Sequence, residues 1–194
     1  MRQWILDIIE DKELLLKNLS EGYLSDVEKV GEMLADILKN GRKILLAGNG
    51  GSAGDAQHFA GEIVGRFTIE RRSLPALSLC TDPSVMTCIG NDYGYADVFA
   101  RQLDGLGNTG DAFLAISTSG NSQNLINALN VAREKGIRTV GLLGKNGGKM
   151  RDLCDCPLVV PSSSTPRIQE THLLTVHILC EMIEKEIFAK GDEK

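Results

Sequence analysis

Two short polar turns carry residue types that can bind an anion. The first, Gly48-Asn49-Gly50-Gly51-Ser52-Ala53-Gly54, follows the apolar run Lys43 to Ala47 and opens an amphipathic stretch. Its glycines let backbone approach a ligand closely, and free amides at a helix N-terminus attract negative charge. The second, Ser117-Thr118-Ser119-Gly120-Asn121-Ser122, follows the run Ala112 to Ile116 and sets four hydroxyls within six residues. Beside another helix start, such a turn can surround a phosphate with neutral donors. No Lys follows its Gly as in a Walker A loop, so a nucleoside triphosphate is not indicated. Two plainer readings stay open. Gly48-x-Gly50-x-x-Ala53 also satisfies a dinucleotide fingerprint, with Glu70 at about the ribose-acid distance but inside the charged stretch Arg66 to Arg72. Ser122 could equally be a helix cap and the rest a polar turn.

The chain has three His, at 58, 172 and 177, each in a predicted helix. His58 and Glu62, four apart, project from one helix face, a spacing that serves an exposed ion pair or a metal. Around the other two, Leu173, Leu174, Val176, Ile178 and Leu179 make the helix largely apolar. At least one of these His therefore lies at a buried interface, where a hydrogen-bonded core histidine is the usual outcome.

The elements that hold these residues alternate short apolar runs with amphipathic stretches from residue 43 onward, the signature of a parallel sheet with crossover helices. Five strands are predicted, at Lys43 to Ala47, Pro75 to Cys80, Ala112 to Ile116, Thr139 to Leu143 and Pro157 to Val160. Helices are predicted at about Ser52 to Val64, Asp97 to Leu106, Ser122 to Lys135 and Arg167 to Phe188. Two more precede the sheet, the second starting at Ser25 with Glu28 three residues on and stopping at Gly41. The tail 190–194 is expected to fray. In an open α/β sheet ligands bind at the carboxyl ends of the strands, where both turns fall.

Composition narrows the class. With 194 residues, 42% hydrophobic and 24% charged, the chain fits one ordinary folded domain. A net charge of −5 argues against a nucleic-acid surface. No run approaches the ~18 apolar residues of a membrane span and the N-terminus lacks a signal-like core, so no membrane association and a cytoplasmic location are expected. Five scattered Cys suit a reducing compartment. Cys154-Asp155-Cys156, without a second Cys pair, is expected to flank a strand rather than hold a metal.

Taken together, Gly48-Asn49-Gly50-Gly51-Ser52, His58-Phe59-Ala60-x-Glu62, Gly90-Asn91-Asp92, Ser117 to Ser122, Gly147-Gly148-Lys149-Met150 and Arg167-Ile168-Gln169-Glu170 with His172 and His177 resemble the phosphoheptose isomerases over nearly the whole chain. The resemblance implies a single SIS (sugar isomerase) domain over 1–194, an α/β/α sandwich with a five-stranded parallel sheet behind N-terminal helices. It implies conversion of sedoheptulose 7-phosphate to D-glycero-D-manno-heptose 7-phosphate, the first step toward ADP-heptose and the lipopolysaccharide core. It further implies one zinc ion per subunit on His58, Glu62, Gln169 and His177, and a homotetramer with active sites at subunit interfaces. Substrate contacts would fall on Asn49, Gly50, Gly51, Ser52, Glu62, Asn91, Asp92, Ser117, Thr118, Ser119, Ser122 and Gln169. Some relatives carry an acid three positions before the Gln, where this chain has Pro166, so sugar contacts from Pro161 to Pro166 are not carried over. A replication-initiation regulator of the same fold, which binds an initiator protein, is similar but lacks the equivalents of Glu62 and His177. It is the alternative.

Aldose-ketose isomerisation needs a base at a carbon-bound proton and an acid that moves a proton between neighbouring oxygens. Glu62 is the expected base and His177 the acid/base partner, with any ion polarising the carbonyl; either Glu62's ligand role or its base role is then loose, or its ligation changes during turnover. Gln169 and His177 are eight apart, ~12 Å along a helix axis. A shared ion would require an irregular first turn at Gln169 or ligands from more than one subunit.

Overall fold

The apolar runs become the sheet because both of their faces are covered. In the computed structural model, which describes residues 1–188, they form β1 (Ile44–Gly48), β2 (Ala76–Ser78), β3 (Ala112–Ser117), β4 (Arg138–Gly144) and β5 (Cys156–Val160). The expected fraying at 190–194 lies outside the described residues. All pairings are parallel, in the order β2-β1-β3-β4-β5. Successive side chains alternate between two cores: Ile44, Leu46, Leu114, Ile116 and Leu142 enter one, Leu45, Ala47, Phe113, Ala115 and Leu143 the other. Covered parallel strands read as continuous apolar runs for this reason.

The helices are α1 (Arg2–Lys17), α2 (Glu21–Lys39), α3 (Gly51–Val64), α4 (Pro83–Asp92), α5 (Val98–Leu106), α6 (Gln123–Glu134) and α7 (Thr165–Phe188). α1, α2, α3 and α7 supply the first core, and α4, α5 and α6 the second. The predicted three-layer α/β/α sandwich with five parallel strands is the architecture found.

Three local expectations are corrected. α2 starts a turn before Ser25: the Ser20 hydroxyl caps it by accepting from Tyr23 N at 3.1 Å, and burial of Tyr23 carries the apolar stripe back to that point. The second strand shrinks to three residues, because β2 lies at the sheet edge and pairs with β1 alone. α4 fell between the predicted elements. Its start is nonetheless written in Asp82, whose carboxylate accepts from Ser84 N and Val85 N at 2.8 and 3.0 Å, and in Pro83 at the first helical position. Only Ile89 of α4 is buried, so its apolar periodicity is weak. The expectation that Cys154-Asp155-Cys156 flanks a strand agrees with the geometry: β5 begins at Cys156, and burial, with Asp155 and Cys156 adding to it, pushes the Cys154 thiol up to about 12.

α7 is tied to the sheet by His172, the expected core histidine. It is fully buried, with Nε2 3.0 Å from the Leu143 carbonyl near the carboxyl end of β4. Burial lowers its pKa from 6.5 to about 4, the Leu143 bond opposing, so His172 is neutral in the fold. The unfolded chain binds the extra proton, hence the stability this group contributes is complete above pH 6.5 and is lost as pH falls toward about 4. Melting temperatures of His172→Gln, whose amide can keep the Leu143 bond, should fall less steeply across this window than those of the wild type. Equal slopes would show that His172 is not buried neutral.

Candidate active site

The chain leaves β1 toward β2 on one side and toward β3 and the rest of the sheet on the other, so the order reverses between β1 and β3. Such a switch point leaves a crevice at the strand ends. Gly48 pairs with Ile116, which brings the two polar turns side by side although they lie far apart in sequence.

Each turn is shaped by a close backbone approach. In the first, the Ser52 carbonyl folds back to within 2.3 Å of where a Cβ on Gly48 would lie, and Gly50 takes a positive φ of 55° before α3. In the second, the Ser117 hydroxyl is the hub: it lies 3.1 Å from Ser122 Oγ and 3.4 Å from Ser119 Oγ, and accepts from Gly120 N at 3.1 Å. Gly120 has φ 64°, and a Cβ there would stand 1.9 Å from the Gly147 carbonyl. Residues of the Gly147 to Met150 motif thus buttress the serine turn, with Met150 N donating to Gly120 O and Lys149 N to Asn121 Oδ1.

A reciprocal amide pair joins the turns. Asn49 Nδ2 donates to Asn124 Oδ1 at 3.0 Å, Asn124 Nδ2 donates back to Asn49 Oδ1 at 2.8 Å, and the Tyr95 hydroxyl donates to the same Asn49 oxygen at 3.0 Å. Neither Asn124 nor Tyr95 was legible as a site residue, since each acts only through a contact across the crevice. Asn91 and Asp92, at the end of α4, are exposed and bond to each other at 2.7 Å rather than to the turns.

α3 and α7 lie side by side and align the remaining groups. The Gln169 amide reaches over Gly51, with Nε2 2.2 Å from where a Cβ there would lie. Further along, His58 Nε2 meets His177 Nε2 at 2.8 Å, and Glu62 Oε1 stands 3.6 Å from His58 Nε2. The Phe67 ring lies against His177, centroids 5.4 Å apart. Gln169 and His177 both lie within the one helix α7, which starts at Thr165 with Pro166 in its first turn, so the irregular-turn alternative falls away. Among the described residues no three His, Cys, Asp or Glu are gathered tightly enough to hold an ion. Asp55, one turn before His58, has its carboxyl raised by burial, with a buried Oδ2 that lacks a partner.

A parallel sheet of this order with glycine and serine turns at its switch point defines a sugar isomerase domain, and the SIS domain family model matches residues 9–144. The phosphoheptose isomerase of Sulfurimonas denitrificans is 51% identical over 191 residues, covering 98% of this chain and 97% of that one. That of Geobacter sulfurreducens is 54% identical over 174 residues, 90% of this chain and 92% of its own. The structure of phosphoheptose isomerase from Neisseria gonorrhoeae superposes with a TM-score of 0.90 at 38% identity, covering 95% of this chain and 98% of that one. The chain belongs to the phosphoheptose isomerase family.

Gly120→Ala should be severely destabilising, by roughly 2 kcal/mol or more, because positive φ and a backbone clash coincide there. Urea denaturation of this variant beside Gly54→Ala, whose added Cβ meets nothing within 4 Å, checks it.

Proposed function

We propose that this chain isomerises D-sedoheptulose 7-phosphate to D-glycero-D-manno-heptose 7-phosphate, supplying ADP-heptose and lipopolysaccharide core synthesis. The carrying observation is that α3 opens in one anion-binding turn, beside the other, and carries His58 and Glu62 along the face that meets His177. Gly51 and His58 are seven residues apart, ~10 Å of helix. That span suits an open-chain seven-carbon sugar phosphate, with its anion at the turns and its carbonyl end toward the imidazoles.

In this reading Ser117, Thr118, Ser119 and Ser122 bind the phosphate, and Asn49, Gly50, Gly51, Ser52 and Gln169 hold the sugar, with Asn91 and Asp92 at the crevice rim. Glu62 removes the proton from the carbon beside the carbonyl. His177 moves a proton between the two neighbouring oxygens, and the enediol collapses to the aldose. The chemistry of the donors suits zinc, two imidazoles and a carboxylate carried on facing helices, with the two His Nε2 atoms 2.8 Å apart as a hydrogen-bonded pair. His58, Glu62, Gln169 and His177 would hold the ion, which would polarise the sugar carbonyl. Because Gln169 and His177 sit ~12 Å apart on one continuous helix, the complete set is drawn from more than one copy of the chain.

The exposed apolar face of α1 supports such an assembly, proposed to be a homotetramer. Trp4, Ile5, Leu6, Ile9 and Leu14 are all 42% exposed or more. Among the described residues no helix is long and apolar enough to cross a membrane, and all five Cys are free, which suits the proposed cytoplasmic location.

Incubation with sedoheptulose 7-phosphate, followed by NMR, should show the aldose appear and a chelator slow it. Glu62→Gln should lose turnover by at least about 100-fold while still binding the sugar phosphate, and near-normal turnover would remove Glu62 as base. Trp4→Asp with Ile9→Asp should yield smaller species by light scattering and lower activity. An unchanged mass would exclude α1 from the interface.

A further inference from the structure

Seven residues beyond His177 on α7, the Glu184 carboxylate is only 2% exposed and accepts five hydrogen bonds from the segment that follows α3. Oε1 takes Phe67 N at 2.9 Å and Arg71 Nε at 2.8 Å. Oε2 takes Thr68 N at 2.9 Å, Thr68 Oγ1 at 2.7 Å and Ile69 N at 3.2 Å. The Arg71 side chain, 1% exposed, passes the connection on, with Nη2 donating to the Glu62 carbonyl at 2.8 Å and Nη1 to the Ile63 carbonyl at 3.1 Å.

We propose that Glu184 is a positioning residue for the isomerisation: its clamp on residues 67–71 sets the Phe67 ring against His177 and the last turn of α3 under Glu62. The inference rests on the isomerase reading above. One arm of this buried ion pair ends on the backbone carbonyls of Glu62, Ile63, Gly65 and Arg72, at and beyond the end of α3 that carries Glu62, and the other on the amide of Phe67, whose ring lies against His177. The Phe67 amide is held directly by Glu184, and its ring lies 5.4 Å from the His177 ring, tilted by 34°. His177 in turn meets His58, four residues before Glu62, so Glu184, Arg71, α3 and α7 form a closed frame. Burial would raise the Glu184 carboxyl, but donors from Thr68, Phe67 and Arg71 outweigh it and lower it to about 2, so the clamp stays ionised at any working pH. With both carboxylate oxygens engaged by five donors, its geometry has little freedom.

The test uses full-length protein labelled at histidine Cε1, whose three His give few signals. Phe67→Leu keeps apolar volume and removes the ring. It should melt near the wild type, shift the His177 Hε1 resonance while leaving that of His172 in place, and lower kcat about tenfold with KM within about twofold. Glu184→Gln should shift the same resonance and lower kcat as well as the melting temperature. The double variant should be no slower than the slower single variant, because both act through one connection. Should Glu184→Gln fail to fold, Thr68→Val, which removes one donor at the rim of the clamp, should give a smaller shift of the same resonance. An unmoved His177 resonance, or kcat losses that multiply in the double variant, would overturn the inference. Wild-type protein without sugar-phosphate turnover would overturn the isomerase reading and this inference with it, whereas an unmoved resonance in an active background overturns this inference alone.

Discussion

Adjacency of β1 and β3 is the constraint on which the rest depends. Two parallel strands whose connections depart to opposite sides cannot be bridged by a loop at their carboxyl ends, and the gap that remains is lined by whatever follows each strand. Here glycines and hydroxyls follow. The reciprocal Asn49 and Asn124 amides stitch the gap without filling it, and the Gly147 to Met150 turn supports the serine side from beneath. A Cβ at Gly48 or Gly120 would collide with backbone, so the turns are tight enough to aim their donors and leave no side chain of their own in the way.

A second consequence concerns α3. Because it starts in the first turn, its axis carries groups away from the anion end of the crevice at a fixed rise per residue, and α7 beside it carries a matching series. Gln169 faces Gly51, His177 faces His58, and Glu184 grips the segment beyond the end of α3. The two helices act as a ruler on which the proposed anion site, the proposed carbonyl site and the clamp occupy successive positions. That spacing also keeps Gln169 and His177 of one chain apart, so the complete set proposed for a metal calls for a neighbouring copy, in keeping with the bare apolar face of α1.

Most of the scaffold was legible because covered parallel strands leave a strong local mark. Runs such as Ile44 to Ala47 and Ala112 to Ile116 are apolar throughout, and their flanking glycines and serines punctuate them. α4 was not legible, since a helix that buries little besides Ile89 has almost no periodic signal, although Asp82-Pro83 marks its start. α2 is capped at Ser20 rather than at Ser25 because burial of Tyr23, a contact between distant segments, extends the helix back by a turn. Among the candidate site residues, those in local motifs could be named from sequence, while Asn124, Tyr95, Phe67, Arg71 and Glu184 enter only through contacts between distant segments.

The sequence by itself determined the sheet, the two glycine- and serine-rich turns and the i, i+4 pair of His58 and Glu62, because each is specified by residues within one turn or one run of the chain. Residue pattern alone left His172 and His177 alike, and only the family resemblance pointed to His177; the tertiary structure brings His177 to His58, joins Asn49 to Asn124, and sets Glu184 at the segment beyond α3. His172 and His177 stand on the same apolar helix, and nothing local separates them. One faces a sheet that strips its water and keeps it neutral, the other faces a neighbouring helix at an open crevice, and that difference is a property of packing between distant segments.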